Sequence, residues 1–167
     1  VTALEDKIVQ GLVARIFSTI WEEEFQGFSY GFRPGRGAHD ALDALALGIE
    51  QHDIRWILDA DIQGCYDTLN QEWLVKFLEH RIQDRRVIGL VQQWLKAGVM
   101  EDGEWHANEV GTPQGGLISP ILLNIYLHYV LDLWVKQWRK LSARGTVIIV
   151  RYADDVRRSQ ATEQDTP

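Results

Sequence analysis

Two acidic clusters in this sequence have the residue types for metal-assisted chemistry. Asp154 and Asp155 follow the β-branched run Val147-Ile148-Ile149-Val150, which has the composition of a strand packed on both faces, and Tyr152-Ala153-Asp154-Asp155 reads as its turn-prone end. Far upstream, Trp56-Ile57-Leu58-Asp59-Ala60-Asp61-Ile62 has the same form, a short apolar strand ending in carboxylates. If the two strands lie side by side, Asp61, Asp154 and Asp155 gather around divalent metal. Carboxylate oxygens are hard ligands that suit Mg²⁺ better than His or Cys would. Two such ions, about 3.5–4 Å apart, can activate a hydroxyl nucleophile and stabilise a leaving pyrophosphate. The competing reading of each pair is a solvated turn, because Asp favours turns for purely local reasons.

The 167 residues leave room for one domain with one core, and 46% hydrophobic with 25% charged residues is ordinary globular composition. The single cysteine, Cys65, excludes an internal disulfide and fits a reducing compartment. No apolar run is long enough to span a bilayer and no signal peptide opens the chain, so the reading is cytoplasmic with no membrane partner. A net charge of −7 counts against nucleic-acid binding. Against that, the cations are clustered: Arg81, Arg85 and Arg86; Lys136, Arg139, Lys140 and Arg144; Arg157 and Arg158. Each cluster is also readable as a solvated helix face.

The elements that must position the carboxylates emerge from periodicity. Leu4, Ile8, Leu12, Ile16 and Ile20 recur every four residues, the stripe of a helix from Leu4 to about Phe25, with Thr2 and Glu5 as a capping box. Gly31-Phe32-Arg33-Pro34-Gly35-Arg36-Gly37 is a loop on flexible backbone, from which Arg33 and Arg36 reach phosphates or merely hydrate a turn. A second helix spans Ala38 to about Gln51. After the strand ending at Asp61 come two short helices, Trp73 to Ile82 and Arg86 to Ala97, whose apolar faces read as core. Gly98 to Gly111 has the marks of a hairpin turning at Asp102-Gly103. In Thr112-Pro113-Gln114-Gly115-Gly116 the glycines allow close backbone approach, and Gln114 offers amide donors and an acceptor to a base or sugar edge. Ser119 and Pro120 open one long helix that runs to about Ala143. The order is α+β, with non-adjacent strands pairing beneath helices.

Four motifs in register, Tyr30-Gly31-Phe32-Arg33-Pro34-Gly35-Arg36, Asp59-Ala60-Asp61-Ile62, Gly111-Thr112-Pro113-Gln114-Gly115-Gly116 and Tyr152-Ala153-Asp154-Asp155, resemble the group II intron-encoded reverse transcriptases. The resemblance covers Leu4 to Asp155 and implies a right-hand polymerase palm with part of the fingers, an antiparallel sheet packed on helices. It implies Asp61, Asp154 and Asp155 as catalytic metal ligands, with the Ile62 carbonyl completing a site for two Mg²⁺, or Mn²⁺ in their place. Tyr66 falls where the family places an aromatic gate beneath the incoming sugar. Gln114 and Gly115 match the segment that holds the nucleotide, and Arg33, with Arg36 beside it, matches the template side. Asp59 is set aside as a ligand, on the expectation that it faces away from Asp61; Asp154 and Asp155 are expected to act differently.

The implied partners are an RNA template, a DNA or RNA primer, a dNTP and intron RNA, with the oligomeric state left open. There are departures too. Gln63 stands where relatives carry a basic residue, and the Lys and Arg of further fingers strands that clasp the triphosphate in relatives, upstream of the position of Leu4, are expected to be missing here. After Asp155 the family continues with an apolar strand, whereas residues 156–167 here read as a divergent polar tail without strand alternation, following a fingers/palm domain of residues 1–155. The expected reaction is RNA-directed DNA synthesis, weak or absent in this chain alone. The rival readings are an intron-RNA-binding splicing cofactor, a palm-fold nucleotide cyclase, and a functionless remnant.

Overall fold

The computed structural model describes residues 4–52, 54, 56–97, 99–101, 104–106, 111, 112 and 116–160. The chain forms two compact units, one from residues 1–24 and 64–126, the other from residues 25–63 and 127–167.

The first unit is mainly helical: α1 (Leu4–Glu22), α3 (Cys65–Thr68), α4 (Gln71–Glu79), α5 (Arg85–Lys96), the hairpin β2 (Val99–Glu101) and β3 (Glu104–His106), and α6 (Ser119–Leu127). Its core includes Phe17, Trp21, Leu74, Leu78, Val91, Leu95, Leu122 and Ile125. The four-residue stripe expected to bury α1 does not do so: Leu4, Ile8, Leu12 and Ile16 are exposed, and Gln10, Val13, Phe17 and Trp21 are inside. Five positions spaced by four drift over about 160° of a 3.6-residue helix, while Gln10, Val13, Phe17 and Trp21 stay within about 80° of arc, a single face. Thr2 lies outside the described residues. Helix α5 is capped by Asp84, which accepts from the Arg86 N–H; the Arg86 guanidinium, bonded to the same carboxylate, holds the Asp84 carboxyl down to about 2.

The second unit contains α2 (Ala38–Gln51), a π-helical segment (His128–Asp132), α7 (Leu133–Leu141) and a three-stranded sheet of β1 (Trp56–Asp61), β4 (Val147–Tyr152) and β5 (Asp155–Gln160). The sheet order is β1-β5-β4, antiparallel throughout. Two expectations are corrected here. The two apolar strands read as lying side by side, β1 and β4, are not neighbours, because β5, which begins at Asp155, lies between them. Residues 155–160 form that central strand despite their polar composition; a strand with a partner on each side has its backbone hydrogen bonds satisfied whether or not its side chains alternate. A further correction concerns the helix expected to run unbroken to Ala143: at His128–Asp132 it widens to a π turn, closed by the Leu133 N–H donating to the His128 carbonyl.

Strand alternation sorts the sheet into two faces. Val147 and Ile149 pack with Val135, Leu131, Trp138 and Val156 on the α7 side. Val150, with Tyr30, Ile49 and Tyr152 around it, packs on Ala41 and Leu45 of α2. Gly48 sets the approach of α2, since a Cβ there would collide with the Ile148 side chain. Phe28 to Tyr30 runs beside β4 on its free edge, with Arg151 N–H donating to the Phe28 carbonyl at 2.8 Å and Tyr30 N–H to the Arg151 carbonyl at 2.8 Å.

Candidate active site at the acidic end of the sheet

The acidic residues meet through strand register. Asp61, the last residue of β1, is the cross-strand partner of Asp155, the first residue of β5. Directly opposed residues of an antiparallel pair share a face, with Cβ atoms about 4.5–5.5 Å apart. Asp155 also pairs with Tyr152 of β4, so Ala153 and Asp154 alone make the connecting turn. Asp154 is half-buried in that turn, and Asp61 and Asp155 are exposed. The expected difference between Asp154 and Asp155 thus has a structural form: one belongs to the turn, the other to a strand face.

The face carrying Asp61 and Asp155 is the α2 face. There the side chains of Asp59, Asp61, Asp155, Arg157, Val150 and Tyr152 line an open cleft of about 510 Å³ with Ala38, Ala41, Leu42 and Leu45 of α2. Asp59 is therefore not turned away from Asp61: residues two apart on a strand point the same way, and both line the cleft. Asp59 differs from Asp61 in its partner, because the Arg157 guanidinium lies 3.2 Å from its carboxylate.

Among the described residues no three His, Cys, Asp or Glu side chains are already drawn into a cage. The facing pair nonetheless fits a hard divalent cation, since Mg²⁺ is characteristically held by one or two carboxylates together with substrate phosphates and water. Ile62, half-buried, follows Asp61 directly.

The turn that carries Asp154 is tightly determined. Ala153 has φ +56°, in the left-handed region that costs an L-residue about 1–2 kcal/mol. Its carbonyl accepts from Arg151 Nη1 at 2.8 Å. Gly31 lies against its backbone so closely that a Cβ at Gly31 would strike the Ala153 nitrogen. Arg151 itself is fully buried, with Nε 2.8 Å and Nη2 2.7 Å from the two carboxylate oxygens of buried Asp132, and Nη2 2.8 Å from Ser29 Oγ. Neither Arg151 nor Asp132 stood out in the sequence as functional. The signal was there, because a charge inside an apolar run, as both are, must find a partner when buried.

The remaining expected residues fall in several places. Arg33 is buried, not held out on flexible backbone: its Nη1 donates to the carbonyls of Gln26 at 2.7 Å and Ser29 at 2.6 Å, and its guanidinium lies over the Phe25 ring. Arg36, half-buried, donates to the Gly27 carbonyl at 2.7 Å and covers the Tyr30 ring. Both arginines shape the loop that delivers Gly31. Tyr66 belongs to the first unit, in α3, where its carbonyl accepts from Thr112 N–H at 2.8 Å. Gly111, at φ +84°, approaches the same turn too closely for any side chain. Gln114 and Gly115 lie outside the described residues.

The chain is 39% identical over 145 residues to the group II intron-encoded protein LtrA of Lactococcus lactis subsp. cremoris, covering 84% of this chain and 24% of that protein. It is 37% identical over 131 residues to protein YkfC of Escherichia coli K12, covering 77% of this chain and 34% of that one. Nuclear intron maturase 2 of Arabidopsis thaliana is 30% identical over 107 residues, 62% of this chain and 14% of its own length. The chain thus spans about a quarter of LtrA and about a third of YkfC. In fold it resembles the telomerase of Candida albicans solved with a fragment of telomeric RNA, with TM-score 0.68 at 15% identity over 92% of this chain and 30% of that one. The apo telomerase of Candida tropicalis gives TM-score 0.65 at 14% identity, over 95% and 35%. The family model for reverse transcriptase (RNA-dependent DNA polymerase) matches residues 1–165, and the chain belongs to that family.

Proposed function

We propose that this chain carries the acidic site for RNA-templated nucleotidyl transfer within a larger group II intron-type reverse transcriptase. The observation that carries the reading is the direct pairing of Asp61 with Asp155 across β1 and β5, next to the turn bearing Asp154. Asp61, Asp154 and Asp155, with the Ile62 carbonyl, would hold two Mg²⁺ ions, or Mn²⁺ in their place. When bound, such ions activate a primer 3′ hydroxyl and offset charge on the departing pyrophosphate. The chain's own residues fix where that charge is held: Asp61 and Asp155 by strand register, Asp154 by a turn anchored on Arg151 and Gly31. Tyr66 is assigned to the sugar of the incoming dNTP, and Gln114 and Gly115 to the nucleotide itself. Arg33 and Arg36 act on the template side by shaping their loop.

Template RNA, primer and dNTP are the partners this chemistry requires. The expected activity of the isolated chain is weak or absent. The test is primer extension with an RNA template, a DNA primer, dNTPs and Mg²⁺. Whatever product the chain forms should disappear in Asp155→Asn and in Asp61→Asn; product that survives both would exclude these carboxylates. Similarity to an intron maturase supports a second reading, a splicing cofactor that binds intron RNA. Splicing stimulation that persists in Asp61→Ala would favour it.

A further inference from the structure

We propose that Arg151 and Asp132 are positioning residues: a buried clamp that fixes the Ala153-Asp154 turn and thereby the spacing of Asp154 and Asp155. The inference rests on the acidic-site reading above, and goes beyond it by assigning a role to two residues that touch neither metal nor nucleotide.

Arg151 and Asp155 lie on opposite faces of the sheet, so the clamp works from behind the site. From that side, one guanidinium makes three kinds of bond at once. Nε and Nη2 fork onto the two oxygens of Asp132, Nη2 also reaches Ser29 Oγ, and Nη1 holds the Ala153 carbonyl at 2.8 Å. The main chain of Arg151 is fixed as well, bonded on its free edge to Phe28 and Tyr30. A left-handed alanine in a two-residue turn persists only where its surroundings over-determine it. Here the carbonyl is anchored by Arg151 and the nitrogen is backed by Gly31. Lysine could not replace the fork, since one ammonium on a flexible stem lacks the planar geometry that serves both oxygens of Asp132.

Asp132 owes its aim to the π segment. It is the last residue of His128–Asp132, and a π turn inserts one residue into the helical register, which rotates the next turn by roughly 100° relative to a continuous α-helix. Such bulges recur at functional sites. Both charges are fully shielded from solvent. Replacing such a pair by apolar residues of similar volume is often neutral for stability, which makes the strength of the fold separable from the position of the turn.

The test uses the full chain in four forms: wild type, Arg151→Met/Asp132→Val, Arg151→Lys, and Asp155→Asn. Hydrogen exchange over residues 150–157 reads the turn, Mn²⁺ titration followed by electron paramagnetic resonance reads the site, and urea unfolding reads the fold. The expected result for the folded double variant is faster exchange at Ala153 to Asp155 and Mn²⁺ affinity about 10–100-fold weaker, the range for groups that orient metal ligands. Arg151→Lys should fall between the double variant and wild type. Faster exchange with Mn²⁺ affinity within twofold of wild type would make the clamp merely structural and overturn the proposal. Unchanged exchange would overturn it equally. Should the double variant not fold, Arg151→Lys, which keeps a cation beside Asp132, decides on the same two readouts. If wild type binds no Mn²⁺, or Asp155→Asn binds as wild type does, the acidic-site reading fails and takes the assigned role with it. That failure is visible in the controls and so distinct from a failure of the clamp.

Discussion

The sheet of the second unit carries two Arg–Asp pairs, one on each face, and they are made of the same groups in opposite settings. On the α7 face, Arg151 and Asp132 have no solvent exposure and meet through a forked pair of bonds. On the α2 face, Arg157 and Asp59 meet at 3.2 Å with side chains 48% and 64% exposed. In water, the exposed pair gains little over its separate hydrated ions, and salt screens what it gains. The buried pair has lost its hydration, so each charge depends wholly on the other and on the hydrogen bonds around them. The same chemistry therefore yields a rigid fixture behind the acidic site and an adjustable field in front of it.

The most forceful way to break the comparison is to remove half of the buried pair. Arg151→Met strands the Asp132 carboxylate in the core, and the expected loss is about 3–5 kcal/mol in urea unfolding. That is a large share of the total stability of an ordinary domain, roughly 5–15 kcal/mol. The double variant Arg151→Met/Asp132→Val should recover most of it, because no charge is left unpaired. A single variant as stable as wild type would mean that water reaches Asp132, and the contrast between the two faces would be lost.

Next in size is Gly31→Ala, which attacks the turn at the Ala153 nitrogen and leaves its carbonyl anchor in place. The new methyl would strike the Ala153 nitrogen, backbone that cannot swing aside as a side-chain tip could. Overpacking of this kind costs about 1–3 kcal/mol. Because the displaced atoms adjoin Asp154, Mn²⁺ affinity should fall along with stability. Loss of stability without loss of Mn²⁺ affinity would show that the turn can shift without disturbing the carboxylates.

Much of this was legible in the residues themselves. The helix expected from Ala38 to about Gln51 is observed over those residues, because its apolar spacing has one solution and its ends are clear. The acidic end of β4 was readable because a β-branched run followed by Tyr-Ala-Asp-Asp leaves few alternatives. What escaped depends on neighbours. Strand β5 is polar, and its place in the sheet comes from partners on both sides, which no local pattern records. Helix α1 offers two apolar stripes, and only the packed unit shows that Phe17 and Trp21 define the inner one. The π turn at His128–Asp132 leaves no periodic trace over five residues, yet it ends on the buried Asp132. Arg33 reads as a free cation because its loop is rich in glycine, whereas the carbonyls that bind it lie in the chain just before it.

The smallest expected effects come from the exposed pair, and they sharpen the comparison by their direction. Asp59→Asn releases the Arg157 guanidinium into a cleft that Asp61 and Asp155 also line, so a positive charge is left beside the carboxylates that would hold a cation. Stability should change by no more than about 1 kcal/mol. Mn²⁺ affinity should drop, by at most about fivefold if the interaction is worth that much. Arg157→Gln should act with the opposite sign, raising affinity by a similar factor. Both shifts should shrink when the titration is repeated at about 1 M monovalent salt, where the screening length falls to about 3 Å. The loss in Arg151→Met/Asp132→Val should persist there, since the geometry behind the sheet is shielded from solvent. Equal salt sensitivity in the two sets of variants would show that both pairs act as fields and that neither acts as a fixture.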